Sequence, residues 1–318
     1  VPLTGPAQEL GIEMRLGAKL YFDQINSQGG VNGRKIKLLT LDDGYEPERA
    51  TANTKQLIDK DDVFALFGYV GTPTSLAALQ VSNPAGVPFF GAFTGAEALR
   101  TPFNRLIFNV RASYGDETEK IVEQFTSLNV KRIAVFYQND AYGKAGLTGV
   151  EKAMAKRNLQ LVATATVERN SVDVAAAVKT LAAAKPDMVV MVTTYKSTAA
   201  FINAMRAAGS APQFYTVSFV GSRALANELG AAGAGAFLEN FQPDIEIVDY
   251  PPPDRRAGAA QFLNIEAVLN QPDHAFGALG DEQRPDFLKR LLQTGVAHLR
   301  CRPCLKEHRL REIGRAHV

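Results

Sequence analysis

The side chains most often used as bases, nucleophiles and metal ligands sit at one end of this chain. All four histidines (His274, His298, His308 and His317) and both cysteines (Cys301 and Cys304) lie beyond residue 270. Cys301-Arg302-Pro303-Cys304 has the spacing of a redox dithiol. It follows no strand–helix unit, however, and zinc would need a second such pair. A hydrolytic triad needs a base beside its Ser or Cys, most often His, so residues 1–273 exclude that arrangement. The phosphate loop G-x-x-x-x-G-K-[ST] is missing, because Gly143-Lys144 lacks the earlier glycine. No G-x-G-x-x-G follows the first strand pair, and Gly68-Tyr69-Val70-Gly71 is a lone G-x-x-G. The reading is a non-enzyme with no metal and no cofactor.

What remains is binding chemistry, in short polar and aromatic segments. These are Tyr69-Val70-Gly71-Thr72-Pro73-Thr74-Ser75, Ala92-Phe93-Thr94-Gly95, Gln138-Asn139-Asp140-Ala141-Tyr142-Gly143, Thr194-Tyr195-Lys196 and Ser218-Phe219. Hydroxyls beside the free N–H groups of a helix start suit a carboxylate, and glycine lets the backbone approach a ligand. Each segment also has a purely structural use. Thr72 and Thr74 can cap the helix that follows, Tyr142 and Tyr195 can be rim or packing aromatics, and Asp140 can be an N-cap. Asp42-Asp43 reads as turn and cap residues ahead of a helix at Pro47. The binding reading draws its weight from recurrence: five segments share one character.

All five follow expected strands. Gln8–Gln28 has apolar residues at helical spacing and ends at Gly29-Gly30. Ile36–Leu41 reads as a strand, and a helix opens at Pro47 and runs to Lys60. Strands at Val63–Gly68 and Pro88–Gly91 flank a helix at Thr74–Val81. A second series has helices at Gly115–Leu128, Tyr142–Lys156 and Val172–Ala184, with another running to Ala208. Its strands are Arg132–Tyr137, Gln160–Val167, Asp187–Thr193 and Gln213–Val217, and a short helix runs to Leu229. The unbroken apolar run Asp187–Thr193 suits a strand buried on both faces. Strand–helix alternation of this length predicts doubly wound parallel sheets, and a break near Val110–Asp116 predicts two lobes. Ligands of such sheets bind beyond the carboxyl ends of the strands, where the five segments fall. After Gly230 the periodicity weakens, leaving only Phe262–Leu269 and Phe287–Leu292 as short helices.

Bulk properties agree with a binder of small molecules. The chain has 318 residues, 46% of them hydrophobic, enough for about two domains with their own cores. A net charge of +2 with 8% aromatics and no tryptophan gives no case for nucleic acid or a membrane surface. No apolar run approaches the roughly 20 residues that span a bilayer. Residues 300–318 carry six Lys/Arg and two Asp/Glu; without them the chain has 29 basic and 31 acidic residues. The net positive charge therefore belongs to the last stretch alone.

The same segments carry a family likeness. The chain resembles the periplasmic solute-binding proteins of branched-chain amino-acid-type ABC importers, the leucine/isoleucine/valine-binding group. The landmarks are L-T-G-P at Leu3–Pro6, G-G-V-N-G at Gly29–Gly33, Asp42-Asp43, G-V-P at Gly86–Pro88, F-T-G-A-E at Phe93–Glu97, D-A-Y-G at Asp140–Gly143 and A-A-G ending at Gly209. The likeness covers residues 2–230. It implies an α/β protein of two Rossmann-like lobes joined by a hinge, the type I periplasmic binding fold, with a first lobe over 1–112 and a second over 113–240. It also implies a clamp that closes on a small carboxylate-bearing solute and delivers it to ABC importer permease subunits. Such a protein is periplasmic, or lipid-anchored outside a Gram-positive cell.

By the resemblance, Thr72, Phe93, Thr94 and Gly95 receive an amino acid's carboxylate and frame its ammonium, Leu10 is a side-chain wall, and Tyr142 and Tyr195 close over the ligand. Ser218 stands where amino-acid-binding members place an acidic partner for the ammonium. A buried ammonium without a carboxylate is costly, so the ligand class extends to non-amino organic acids. A disulfide of some members is also missing, its positions being Tyr45 and Gly71. The chain reads as incomplete at both ends: the family's first strand is expected before Leu3, and residues 241–318 read as foreign or frame-shifted. Glu312–Val318 resembles a translated sequencing adapter. A cytoplasmic ligand sensor on the same fold is the alternative.

Overall fold

The structure, a computed structural model, describes residues 1–230, all within a unit that spans Val1–Ala260. The second unit, Gln261–Val318, lies outside the described residues, as do the expected helices at 262–269 and 287–292, the cysteine pair and every histidine. Chain order runs α1 (Gln8–Ser27), α2 (Pro47–Asp59), β1 (Leu66–Phe67), α3 (Thr72–Ala85), β2 (Phe89–Phe90) and β3 (Ile107–Phe108). It continues with α4 (Tyr114–Ser127), β4 (Ile133–Gln138), α5 (Ala141–Ala155), β5 (Ala163–Val167), α6 (Ala175–Ala184), β6 (Met188–Val192), α7 (Tyr195–Ala207) and β7 (Gln213–Thr216). A 3₁₀ turn at Ser218–Val220 leads into a helical stretch, residues 222–230.

Two parallel sheets result, β1-β2-β3 and β5-β4-β6-β7. In the larger sheet β4 and β6 are central: Ile133 pairs with Met188, Tyr137 with Val192, and every residue of Met188–Val192 is buried. That is the two-sided burial expected of a continuous apolar run. Local chemistry starts the helices. Pro47 opens α2, whose Ala50, Thr54 and Leu57 face inward at helical spacing. Ser113 and Asp116 form a capping box at α4. Asp140 Oδ1 accepts the N–H groups of Tyr142 (2.8 Å) and Gly143 (3.2 Å) at the head of α5, the N-cap role open to it in the sequence.

The smaller sheet departs from expectation. Ile36–Leu41 forms no strand, because a strand exists only against a partner and no described strand lies beside it. Instead the Asn26 side chain holds Ile36 through both backbone groups, at 2.7 and 2.8 Å, while Leu39 and Leu41 pack on the core. The strand expected over Val63–Gly68 shrinks to Leu66–Phe67, since Val63 N–H turns back to Leu57 C=O and Phe64 is 92% exposed. Conversely, Ile107–Phe108 adds a strand that periodicity did not reveal; two residues carry no period. Pairing continues past the short strands: Val70 bridges Phe93, and Phe93 N–H donates to Tyr69 C=O at 2.7 Å. The loops holding Thr72 and Thr94 are thereby locked side by side.

Candidate functional site

Thr72 is the first residue of α3, behind Gly71, whose φ of 97° and lack of side chain suit a tight approach. A Cβ on Gly71 would fall 2.5 Å from Tyr45 Cε2. The two positions of the missing disulfide thus touch, an aromatic ring lying on a glycine. Thr72 does not cap α3. Its Oγ1 pairs with Thr94 Oγ1 at 2.6 Å, and Thr94 Oγ1 also donates to Tyr114 Oη at 3.4 Å and accepts Ala96 N–H at 3.2 Å. Gly95 C=O accepts Tyr114 N–H at 2.7 Å, and a Cβ there would lie 2.7 Å from Tyr114 Cδ1. Glycine at 95 is therefore a packing requirement of the Tyr114 ring. Ser75, in the first turn of α3, is fully buried with no partner for its hydroxyl.

An aromatic path leads from here to the larger sheet. Tyr114 lies 5.4 Å from Tyr142, Tyr142 lies 4.4 Å from Phe219, and Phe219 lies 5.2 Å from Phe93 and 6.3 Å from Tyr45 (ring centroids). Tyr142 Oη donates to Thr193 C=O at 3.4 Å, past the end of β6. Tyr195, the first residue of α7, accepts Glu9 N–H at 3.3 Å through Oη. Leu10, one residue on, sits close enough to residue 221 that a Cβ on Gly221 would be 3.0 Å from Leu10 Cδ2. Strand ends of both sheets and the head of α1 therefore meet.

Ser218 sits differently from the others. It is exposed; its N–H and Oγ–H donate to Glu117 at 2.8 and 2.7 Å, and its Oγ accepts from Arg111 Nη2. The next side chain, Phe219, is fully buried in the aromatic group. Phe219 belongs to the Ser218-Phe219 segment named from the sequence, whereas Tyr45, Tyr114, Arg111 and Glu117 escaped sequence reasoning as site residues. Phe219 follows a strand directly and was legible as a strand-end residue; the other four are brought in by tertiary packing and carry no local signal.

A second contact set crosses between the same regions. Arg169 Nη1 donates to Tyr45 C=O at 2.7 Å and Nη2 to Asp140 Oδ2 at 2.6 Å, while the guanidinium lies 4.9 Å over the Tyr45 ring. Asn170 Nδ2 donates to Glu46 Oε1, and Gln138 Nε2 to Tyr45 Oη at 3.4 Å. Asp140 is committed to Arg169 and to its helix cap. Asp42 braces a turn, accepting from Leu3, Thr4, Gly44 and Arg49, as a turn residue does.

The buried tyrosines are neutral. Burial pushes the phenols of Tyr45, Tyr114 and Tyr142 well above their usual range, so they stay protonated as walls and donors. Tyr69, beside Thr54, is pushed up to about 12 by burial. Gln138 Oε1, like Ser75 Oγ, is buried without a partner. Among the described residues no group of three or more His, Cys, Asp or Glu is placed to hold a metal, and no helix is long and apolar enough to cross a membrane. The arrangement is a buried cluster of hydroxyls and aromatic rings.

Comparison with known proteins gives consistent relatives. A family model described as periplasmic binding protein matches residues 1–264. The Leu/Ile/Val-binding protein homolog 7 of Brucella abortus is 30% identical over 206 residues, 62% of this chain and 51% of the relative. An amino acid binding protein of Pseudomonas aeruginosa is 26% identical over 265 residues, 82% of this chain and 69% of the relative. A solved substrate-binding periplasmic protein of Ralstonia solanacearum is 34% identical with a TM-score of 0.69, over 72% of this chain and 65% of that one. The chain spans about half the length of the Brucella relatives it matches.

Proposed function

Because this chain belongs to the periplasmic binding protein family, whose members are substrate-binding proteins rather than enzymes, we propose that it captures a small carboxylate-bearing solute outside the cytoplasm and delivers it to an ABC importer. Residues 1–112 and 113–240 act as the two lobes, and the solute binds where their strand ends meet. The observation that carries this reading is the unbroken path Thr72–Thr94–Tyr114–Tyr142–Phe219–Phe93, which joins the strand ends of both sheets through hydroxyls and ring faces. A ligand touching first-lobe members of that path (Thr72, Phe93) and second-lobe members (Tyr142, Phe219) together stabilises the closed arrangement over the open one, which is the thermodynamic requirement for a clamp.

Leu10, Thr72, Phe93, Thr94, Gly95, Tyr142 and Tyr195 form the ligand surface in this reading, and Ser218 anchors the turn that presents Phe219. The names of the relatives point to branched-chain amino acids. With Ser218 exposed and engaged by Glu117 and Arg111, non-amino organic acids suit the site at least as well. A thermal-shift panel of the full chain against L-leucine, L-phenylalanine, 4-methylpentanoate and phenylacetate tests the reading. A saturable rise in Tm with one of them supports it; no shift with any at millimolar concentration contradicts it, since a ligand at 100 times its Kd adds about 2.7 kcal/mol.

A further inference from the structure

Capture of a carboxylate, as proposed above, leaves Arg111 without a part. Its guanidinium carbon lies 4.0 Å over the Phe93 ring, and Nη2 donates to Ser218 Oγ. Its Nη1 is buried and has no hydrogen-bond partner. A guanidinium N–H held away from water without an acceptor is costly, so this geometry fits a site that an incoming acceptor completes. Among the described residues none supplies such an acceptor. Ser218 Oγ is neutral and gives its own proton to Glu117 Oε1, while Glu117 Oε2 is taken by Ser218 N–H. Arg111 thus meets a carboxylate only at second hand, through a hydroxyl.

The hydroxyls that the family likeness assigns to the ligand are already engaged. Thr72 and Thr94 are bonded to each other, and Thr94 also to Tyr114 and to Ala96 N–H. They present no cation. We infer that Arg111 receives the ligand's carboxylate through Nη1, so that the site takes an apolar monocarboxylic acid in preference to the amino acid of the same shape. The planar guanidinium suits this use: one face stacks on Phe93 while the edge N–H groups stay in plane for a carboxylate. The acid's apolar body then lies along Phe93, Phe219 and Tyr142, whereas an α-ammonium would come beside a like charge. Without ligand, Ser218 and Glu117 hold the guanidinium in place.

This inference rests on the carrier reading, and one set of calorimetric titrations separates the two. The probes are 4-methylpentanoate, its neutral amide 4-methylpentanamide, and L-leucine, each titrated into the full chain. Wild type is expected to bind the acid about tenfold or more tightly than the amide or L-leucine, the scale of one charge-assisted hydrogen bond. Arg111→Gln is expected to lose roughly tenfold for the acid and to bring acid and amide to similar affinity. Arg111→Lys, which keeps the charge but loses the fork, is expected to fall between; it carries the comparison should the Gln variant not fold. Acid–amide discrimination unchanged in Arg111→Gln, or L-leucine bound more tightly than the acid by wild type, overturns the inference and leaves the carrier reading standing. Wild type that binds no carboxylate overturns both.

Discussion

Single residues here carry two duties at once, and Tyr195 shows it well. Its ring is buried at the head of α7, yet its hydroxyl reaches the N–H of Glu9 at the head of α1, 186 positions away in sequence. Burial also raises its phenol, which keeps the hydroxyl protonated through the physiological range. Tyr195→Phe removes one hydrogen bond and nothing else, so ligand affinity is expected to fall by about two- to tenfold, the equivalent of 0.5–1.5 kcal/mol. Calorimetry on the phenylalanine variant checks this, and Tm should move little. Asp140 shows a similar doubling, capping α5 with one oxygen while the other pairs with Arg169. Neither partner was legible in the sequence, because each lies in a different element; the cap itself was, because it is a local contact.

At the scale of elements, α5 is the informative case. A helix interior disfavours glycine by about 1 kcal/mol against alanine, yet Gly143, Gly146 and Gly149 all sit in this one. A Cβ on Gly146 would lie 2.5 Å from Val192 Cγ1 of β6, and one on Gly149 would lie 2.3 Å from Thr118 Oγ1 of α4. The glycines let α5 lie close on the sheet and on α4, which holds Tyr142 and Tyr114 ring to ring. Gly146→Ala is therefore expected to cost about 1–3 kcal/mol by overpacking. Adding Val192→Ala should return part of that loss, and a double-mutant cycle in denaturant measures the coupling. The helices of this region were legible because each is long enough for several turns of apolar period. Strands β1 and β2 were legible, though expected longer; the two-residue β3 was not, and Ile36–Leu41 had the pattern of a strand without the neighbour that makes one.

On the scale of the whole described region, neutral phenols sit where the ends of the two sheets meet, and this sets a pH response. For Tyr45, Tyr114 and Tyr142 burial raises the folded pKa above the ordinary 10.0, so the unfolded chain loses these protons first. Stability from this source is fully present below about pH 10 and falls as pH rises toward the folded values. Denaturant midpoints across pH 8–12 should be flat at first and then drop, and Tyr45→Phe should lessen the drop. The central claim is that one ligand is held from both lobes at once. Its most direct test is calorimetric titration of 4-methylpentanoate into the full chain and into two folded variants, Phe93→Ala from the first lobe and Tyr142→Ala from the second. One-site binding to wild type, with each variant weaker by about tenfold or more, is the predicted result; a folded variant of either lobe that binds as tightly as wild type would contradict capture between them.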